Sequence, residues 1–457
     1  MSLFGTAGIR GDVTEAVTPE LALSVGRAAA IEARRRDDDE FVVARDGRTS
    51  GRALADAVSA GLASAGVRVR RAGVLPTPAL AFASTGRQGV AVTASHNPPA
   101  DNGLKLFADG VAYDRAAERR VASLVEEDRP PASWSAWGGT ERIDVIDRYR
   151  ETVVAYVRRH GADLDGLRIA VDAGNGTGGL ATPQVIRTLG GDVVATNANV
   201  DGGFPARGSK PTPDTLSEFR AFVRDDDAAF GVAHDGDADR IVVVGPDGDV
   251  VHEDTVVAVL AERYTRASTA SDPVVVTTPN ASARIDERVA AAGGRVERVR
   301  LGGLPEGVAT VREAGSAGTE VAFAAEPWKH LHPGIGGWID GVASAAVLAR
   351  LVAAAGSLGA LREPVTERPY RKENVRCPDD RKPGAMGRVE AHLPARFPEA
   401  DVDTDHGVRI DLPDGSWALV RPSGTEPYLR VYAESERVDD LIADVVDAVE
   451  RGVGDAT

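Results

Sequence analysis

The chain has 457 residues, 43% of them hydrophobic and only 5% aromatic, which is more than one ordinary core can use and excludes both a small binding module and a disordered chain. A formal net charge of −16 argues against duplex nucleic acid or an anionic membrane surface as partner. No run of ~18 uncharged apolar residues occurs, MSLFGTAGIRG lacks the basic and apolar regions of a secretion signal, and the lone Cys377 makes neither an internal disulfide nor a cysteine zinc site, so a cytoplasmic protein is expected.

In chain order, apolar strand-like runs alternate with helix-period segments, which predicts α/β layers with mixed sheets in residues 1–140, 141–249 and 250–361. The first segment reads as a helix over Thr18–Arg36 with Pro19 in its first turn, a strand FVVARD and a helix over Gly51–Ala65, closed by a connector PPASWSAWGG. Residues 362–457 differ and predict an α+β domain: WALVRPSGTEPYLRVYAES is strand, turn and strand, and Val438–Val449 is a closing helix. The strands in VAVTASHNPP, FGVAHDGDADR and VAFAAEPWKH each run into a polar loop. Open α/β sheets bind ligands beyond the carboxyl ends of their strands, so these loops are expected to line one central cleft.

Asp235, Asp237 and Asp239 place three carboxylates at alternate positions, a hard-oxygen set suited to magnesium; a solvated acidic turn is the alternative. An EF-hand is excluded, because Arg240 and Pro246 stand where its Gly and Glu belong. Arg240 beside the carboxylates suits a metal-bound phosphate. Ser95, in Thr93-Ala-Ser-His-Asn-Pro98, lacks the glycines of an esterase elbow, and a serine at a turn is ordinarily a cap or turn former. Lys105 is one of only five lysines, and burial among cations could lower its pKa for proton transfer; a surface residue at the head of a strand is the alternative. Arg421, Ser423, Gly424 and Thr425 suit a phosphate seat, with Arg430 further along the next strand; a plain hairpin turn is the alternative. The scarcity of lysine and the acidic runs fit a high-salt cytoplasm, or a GC-rich codon bias towards Arg, Ala and Gly.

FGTAGIRG, TASHNP, NGLK, DGDADR, Glu326-x-x-x-His330 and RPSGTEP, in this order over essentially the whole chain, closely resemble the α-D-phosphohexomutase superfamily, here with a halophilic archaeal cast. The resemblance implies four domains around a deep cleft and a phosphoserine at Ser95. It implies magnesium held by Ser95, Asp235, Asp237 and Asp239, and interconversion of hexose 1- and 6-phosphates of glucose or mannose through a bisphosphosugar such as glucose 1,6-bisphosphate. It makes Arg10, His96, Lys105 and His330 catalytic candidates, and Arg240, Glu326, Trp328, Lys329, Arg421, Ser423, Gly424, Thr425 and Arg430 substrate-binding ones. Asp46 and Arg48 match a recurring first-domain pattern, as structural or phosphate-supporting residues. Where hexose members commonly carry Glu-x-Ser-Gly-His, this chain has Trp328-Lys329 in place of Ser-Gly, which opens glucosamine phosphate or a phosphopentose as alternative substrates; Trp328 packing outside the cleft is the other reading. An inactive phosphosugar-binding protein is a further alternative. A monomer or homodimer is expected.

Overall fold

The computed structural model describes residues 3–5, 8–424 and 426–454. The chain divides into two compact units, one of residues 1–253 and 328–361, the other of residues 254–327 and 362–457. No helix among the described residues is long and apolar enough to cross a membrane.

The first unit holds two mixed sheets. One runs in the order Ile9–Asp12, Asp101–Ala108, Gln88–Val92, Glu40–Arg45, Arg68–Val74, Thr140–Arg142. Its first two junctions are antiparallel and the rest parallel. The Trp-rich connector includes a short 3-10 turn, Trp134–Ala136, and leads into the edge strand Thr140–Arg142. The first helix is Pro19–Arg34, shorter than expected at its start because Thr18 caps it, its hydroxyl accepting from Leu21 N at 3.3 Å. The second is Gly51–Ser64. Gly26 and Gly61 let these helices touch: a Cβ on Gly61 would lie 2.1 Å from the Leu23 carbonyl oxygen.

The second sheet runs Ile241–Val244, Phe230–His234, Arg168–Asp172, Asp192–Thr196, parallel except for its first pair. Phe230–His234 is buried at every residue, as a central strand covered on both faces should be. In the second unit, Arg295–Arg298, Asp272–Thr277 and Thr319–Glu326 pair in parallel. The remaining sheet is wholly antiparallel, in the order Tyr370–Arg376, Tyr428–Glu434, Trp417–Pro422, Val408–Asp411, Asp401–Asp403. Helices Lys382–Arg396 and Val438–Gly454 pack on it around Val389, Leu393, Val445 and Val449. The closing helix outruns the expected Val449 because its apolar face continues to the buried Gly452.

Mixed α/β sheets followed by an antiparallel α+β sheet are the expected fold class. Lys105, expected among cations or on the surface, lies inside the strand Asp101–Ala108 at 9% exposure, and carboxylates are among its neighbours.

Candidate active site

In the first unit, the loop after Gln88–Val92 brings Ser95 against the loop after Phe230–His234. Ser95 is fully buried, and its hydroxyl donates to Asp235 Oδ2 at 2.5 Å. His96 Nδ1 lies 3.4 Å from Ser95 Oγ. Ser95 has φ 53° and Ala238, between Asp237 and Asp239, has φ 58°. Both are left-handed backbones that a non-glycine residue adopts only when its surroundings enforce it. Gly236 is needed for the approach of the two loops, since a Cβ there would lie 2.7 Å from the Ser95 carbonyl oxygen.

One oxygen each from Asp235, Asp237 and Asp239 lie within 4.8 Å of one another. Asp237 Oδ1 and Asp239 Oδ1 are buried with no hydrogen-bond partner. Buried carboxylate oxygens that lack a hydrogen bond, in a cluster this close, fit a hard divalent cation. The other oxygens are engaged: Lys105 Nζ donates to Asp237 Oδ2 at 3.1 Å and Asp239 Oδ2 at 3.0 Å. Burial drives Asp235 well above the usual carboxylate range, and the charges of Asp239 and Asp237 add to it. For Asp239 burial also works upward, but Lys105, Lys329 and Arg240 outweigh it and hold the carboxyl well below that range. Burial alone would lower Lys105, yet Asp237 and Asp239 leave it raised, so the lowered pKa expected from the sequence is not found.

Two further cations face this cluster. Arg240 Nε is 3.7 Å from Asp235 Oδ2 and 3.6 Å from Asp239 Oδ1. The charge of Arg10 acts on His96, Lys105 and Asp237. Both Nε groups are buried without a hydrogen-bond partner, donors suited to an arriving anion. Burial, followed by Arg240 and Arg10, pushes His96 down to about 3, so its ring is neutral at physiological pH.

Of the Glu326–His330 stretch, Trp328, Lys329 and His330 belong to the first unit and Glu326 to the second. Trp328 takes φ 71°, exceptional for so bulky a residue, while its indole packs against the cluster of Leu216, Phe219, Val223 and Val244. Its carbonyl accepts from Ile241 N at 3.1 Å, and the backbone of Lys329 pairs with that of Arg240 in an isolated antiparallel β-bridge. The charge of Lys329 is felt at both Asp239 and His96.

His330 is buried, and its Nδ1 lies 3.0 Å from Ser344 Oγ. Because Ser344 Oγ donates to the Asp340 carbonyl at 2.7 Å, it accepts from the ring. Burial pushes His330 down to about 3. An unfolded histidine titrates near ~6.5. Between these values the unfolded chain binds a proton the folded chain refuses, so this contribution to stability is present above pH ~6.5 and is lost as pH falls, by up to ~1.4 kcal/mol per unit. The thermal midpoint should therefore drop from pH 7.5 to pH 5, and drop less in His330→Gln; equal drops would contradict this account.

In the second unit, Glu326 Oε1 accepts from Gly302 N at 2.6 Å. Arg421 Nη2 donates to the Tyr432 hydroxyl at 3.0 Å, and Arg430 Nη2 to Glu426 Oε2 at 2.6 Å. Arg421 Nε, Arg430 Nε and Ser423 Oγ are buried with no hydrogen-bond partner, on one hairpin. Gly424 has open space around it, with no atom within 4 Å of a would-be Cβ. Thr425 lies outside the described residues.

Several participants escaped the sequence reading. Thr77 donates through Oγ1 to Asp237 Oδ2 at 2.6 Å, and its N–H donates to the Asp237 carbonyl at 2.9 Å. Lys382 Nζ donates to the carbonyls of Ser423 and Glu426 at 2.7 and 2.6 Å. The rarity of lysine was the one signal for Lys382; Thr77 had none, because its partner is 160 positions away.

A buried serine hydroxyl on a carboxylate triad, ringed by Lys105, Arg10 and Arg240, is the equipment of a metal-assisted phosphoryl-transfer enzyme. Comparison with known proteins agrees. Models of phosphoglucomutase/phosphomannomutase match residues 1–131 (alpha/beta/alpha domain I), 147–248 (alpha/beta/alpha domain II) and 373–452 (C-terminal domain). The chain is 38% identical to a phosphopentomutase of Thermococcus kodakarensis, over 100% of this chain and 99% of that protein. It is 39% identical to a probable phosphoglucosamine mutase of Methanopyrus kandleri, over 98% of each. A crystal structure of a phosphoglucomutase/phosphomannomutase family protein from Burkholderia thailandensis superposes with a TM-score of 0.86 at 28% identity, covering 100% of this chain and 97% of that one. The chain belongs to the phosphoglucomutase/phosphomannomutase family, within the α-D-phosphohexomutase superfamily. It is an enzyme, an intramolecular phosphotransferase of the isomerase class.

Proposed function

We propose that this enzyme moves a phosphoryl group between the 1- and 6-positions of a hexose phosphate, glucose or mannose, with Ser95 as the phosphoryl carrier and a bisphosphosugar as intermediate. The observation that carries the reading is the hydrogen bond from Ser95 Oγ to Asp235 Oδ2 inside a buried carboxylate triad. Asp235, Asp237, Asp239 and Ser95 hold magnesium, which when bound supplies positive charge beside the transferring phosphoryl group. Arg10, Arg240 and Lys105 neutralise phosphate oxygens. The neutral ring of His96 sits where a proton leaving a hydroxyl can be received, and the raised Lys105 serves as charge or acid rather than as base. His330 and Glu326 contact the sugar. The buried, unpaired donors of Arg421, Ser423 and Arg430, with Gly424 and Thr425, hold the phosphate that does not react. The same reading divides the chain into segments 1–140, 141–249, 250–361 and 362–457, and takes glucose 1,6-bisphosphate as activator.

A second reading, the same chemistry on a phosphopentose or glucosamine phosphate, is favoured by Trp328-Lys329 in the sugar stretch and by the names of the two relatives. Assaying glucose, mannose, glucosamine and ribose 1-phosphates in parallel with magnesium and a trace of the matching bisphosphate separates the readings. The highest kcat/KM is expected for a hexose; a preference for ribose or glucosamine phosphate moves the assignment to the second reading.

A further inference from the structure

The left-handed backbone at Ser95 has an identifiable cause outside its own loop. Arg48 is 0% exposed, and all five of its guanidinium N–H groups are used. Nε donates to Asp46 Oδ2 at 3.0 Å. Nη1 donates to the carbonyls of Pro98 at 2.5 Å and Asp101 at 2.8 Å. Nη2 donates to the carbonyls of Ser95 at 2.9 Å and Asn97 at 2.7 Å. One rigid fork thus gathers four carbonyls of the serine loop, a task that a lysine, with three rotatable donors on a point charge, cannot copy. The ring of Phe204 lies 5.1 Å from the guanidinium carbon, and Ser209 Oγ also donates to the Asn97 carbonyl at 2.7 Å.

Asp46 completes the frame from the other side. Its Oδ1 accepts from Arg48 N at 3.0 Å, and its Oδ2 accepts from Thr93 Oγ1 at 2.7 Å. Thr93 Oγ1 in turn accepts from Ser95 N at 3.0 Å. Both backbone groups of Ser95, N–H and C=O, are therefore anchored to the Asp46–Arg48 pair, directly or through one hydroxyl. With both held, the peptide planes on either side of Ser95 are fixed and φ is kept at 53°. In that conformation Oγ meets Asp235 at 2.5 Å.

We propose that Arg48, with Asp46 and Thr93, is a positioning unit for phosphoryl transfer: it imposes the left-handed backbone that aims the Ser95 hydroxyl at the carboxylate triad, and acts through Ser95. The inference rests on the reading of Ser95 as the phosphoryl carrier. Loss of one anchor lets Ser95 relax towards ordinary backbone, shifting Oγ off line while the phosphate- and sugar-binding side chains stay in place. The rate of transfer then falls and substrate affinity does not.

The test compares Thr93→Val, nearly isosteric but lacking the hydroxyl, with Thr93→Ser, which restores it, and with Arg48→Lys. The readouts are kcat, KM, the thermal midpoint, and single-turnover transfer from radiolabelled phosphoenzyme to unlabelled sugar phosphate. Thr93→Val is expected to slow transfer roughly 10- to 100-fold with KM changed by less than about twofold, and Thr93→Ser to recover most of the rate. Wild-type transfer in a folded Thr93→Val enzyme overturns the proposal. So does a loss that Thr93→Ser fails to recover, or one that only tracks the fraction of folded protein. If Arg48→Lys does not fold, the Thr93 pair decides. Ser95→Ala separates the two ideas: turnover in that variant removes the carrier reading itself, whereas no turnover there with normal transfer in the folded Thr93→Val enzyme removes only the positioning unit.

Discussion

Ser95→Ala is expected to lower turnover by at least about 10⁴-fold on every sugar phosphate tested, with no phosphoenzyme detectable by intact mass spectrometry. The size follows from what is lost. The hydroxyl is the atom that carries the phosphoryl group between two positions of one sugar, and no neighbouring side chain offers a substitute: Asp235 accepts its hydrogen bond and His96 approaches at 3.4 Å. The fold should survive, since the substitution removes one buried hydroxyl and its single strong hydrogen bond, a cost of about 1–3 kcal/mol. A nearly unchanged Kd for sugar phosphate, beside a missing phosphoenzyme, is the expected pattern. Normal turnover in a folded Ser95→Ala enzyme would remove Ser95 from the mechanism.

The second large effect concerns the carboxylates. Dialysis against a chelator should abolish activity and added magnesium should restore it, while Asp237→Asn should lower kcat by about 10²- to 10³-fold and weaken divalent-ion binding measured calorimetrically. Asp237 is chosen because its two oxygens are so differently placed. Oδ2 is taken by Thr77 Oγ1 and Lys105 Nζ, whereas Oδ1 is buried and unpaired. The amide keeps the shape and removes the charge, so the loss reports on cation binding rather than on packing. Lys105 would lose one of its two carboxylate partners in the same variant, and its raised pKa should fall. Full activity in chelator with Asp237→Asn unimpaired would leave the triad a structural ion-pair network.

Much of this was written locally in the chain. The strand-to-loop junctions at Val92, His234 and Glu326 were readable because a buried strand is a short apolar run and a ligand loop begins where polarity begins. Pro19 marked a helix start by its fixed φ, although Thr18, read as the first helical residue, turned out to be the cap. The spacing of the alternate aspartates suggested either a hard-cation set or a solvated acidic turn, and in the fold all three are buried with oxygens within 4.8 Å of one another. What misled the local reading was electrostatics. Lys105 reads in the sequence either as buried among cations beside the serine loop or as a surface residue, but the carboxylates 132 and 134 positions further along dominate its surroundings. Trp328 was open to two readings, reshaping the sugar pocket or packing outside it, and its indole packs against Leu216, Phe219, Val223 and Val244.

Periodicity, capping and ligand chemistry within a few neighbouring residues were enough for the fold class, the order of the loops and the residue types that phosphoryl transfer requires. The states of those residues came from long-range contacts. Whether Lys105 is raised or lowered, whether His96 is neutral, and why Ser95 is held at φ 53° all depend on burial and on charges brought from distant segments. The Arg48 fork shows the reason most plainly: its four carbonyl partners lie about fifty positions away, in a loop whose backbone has no signature of its own until the chain has folded around it.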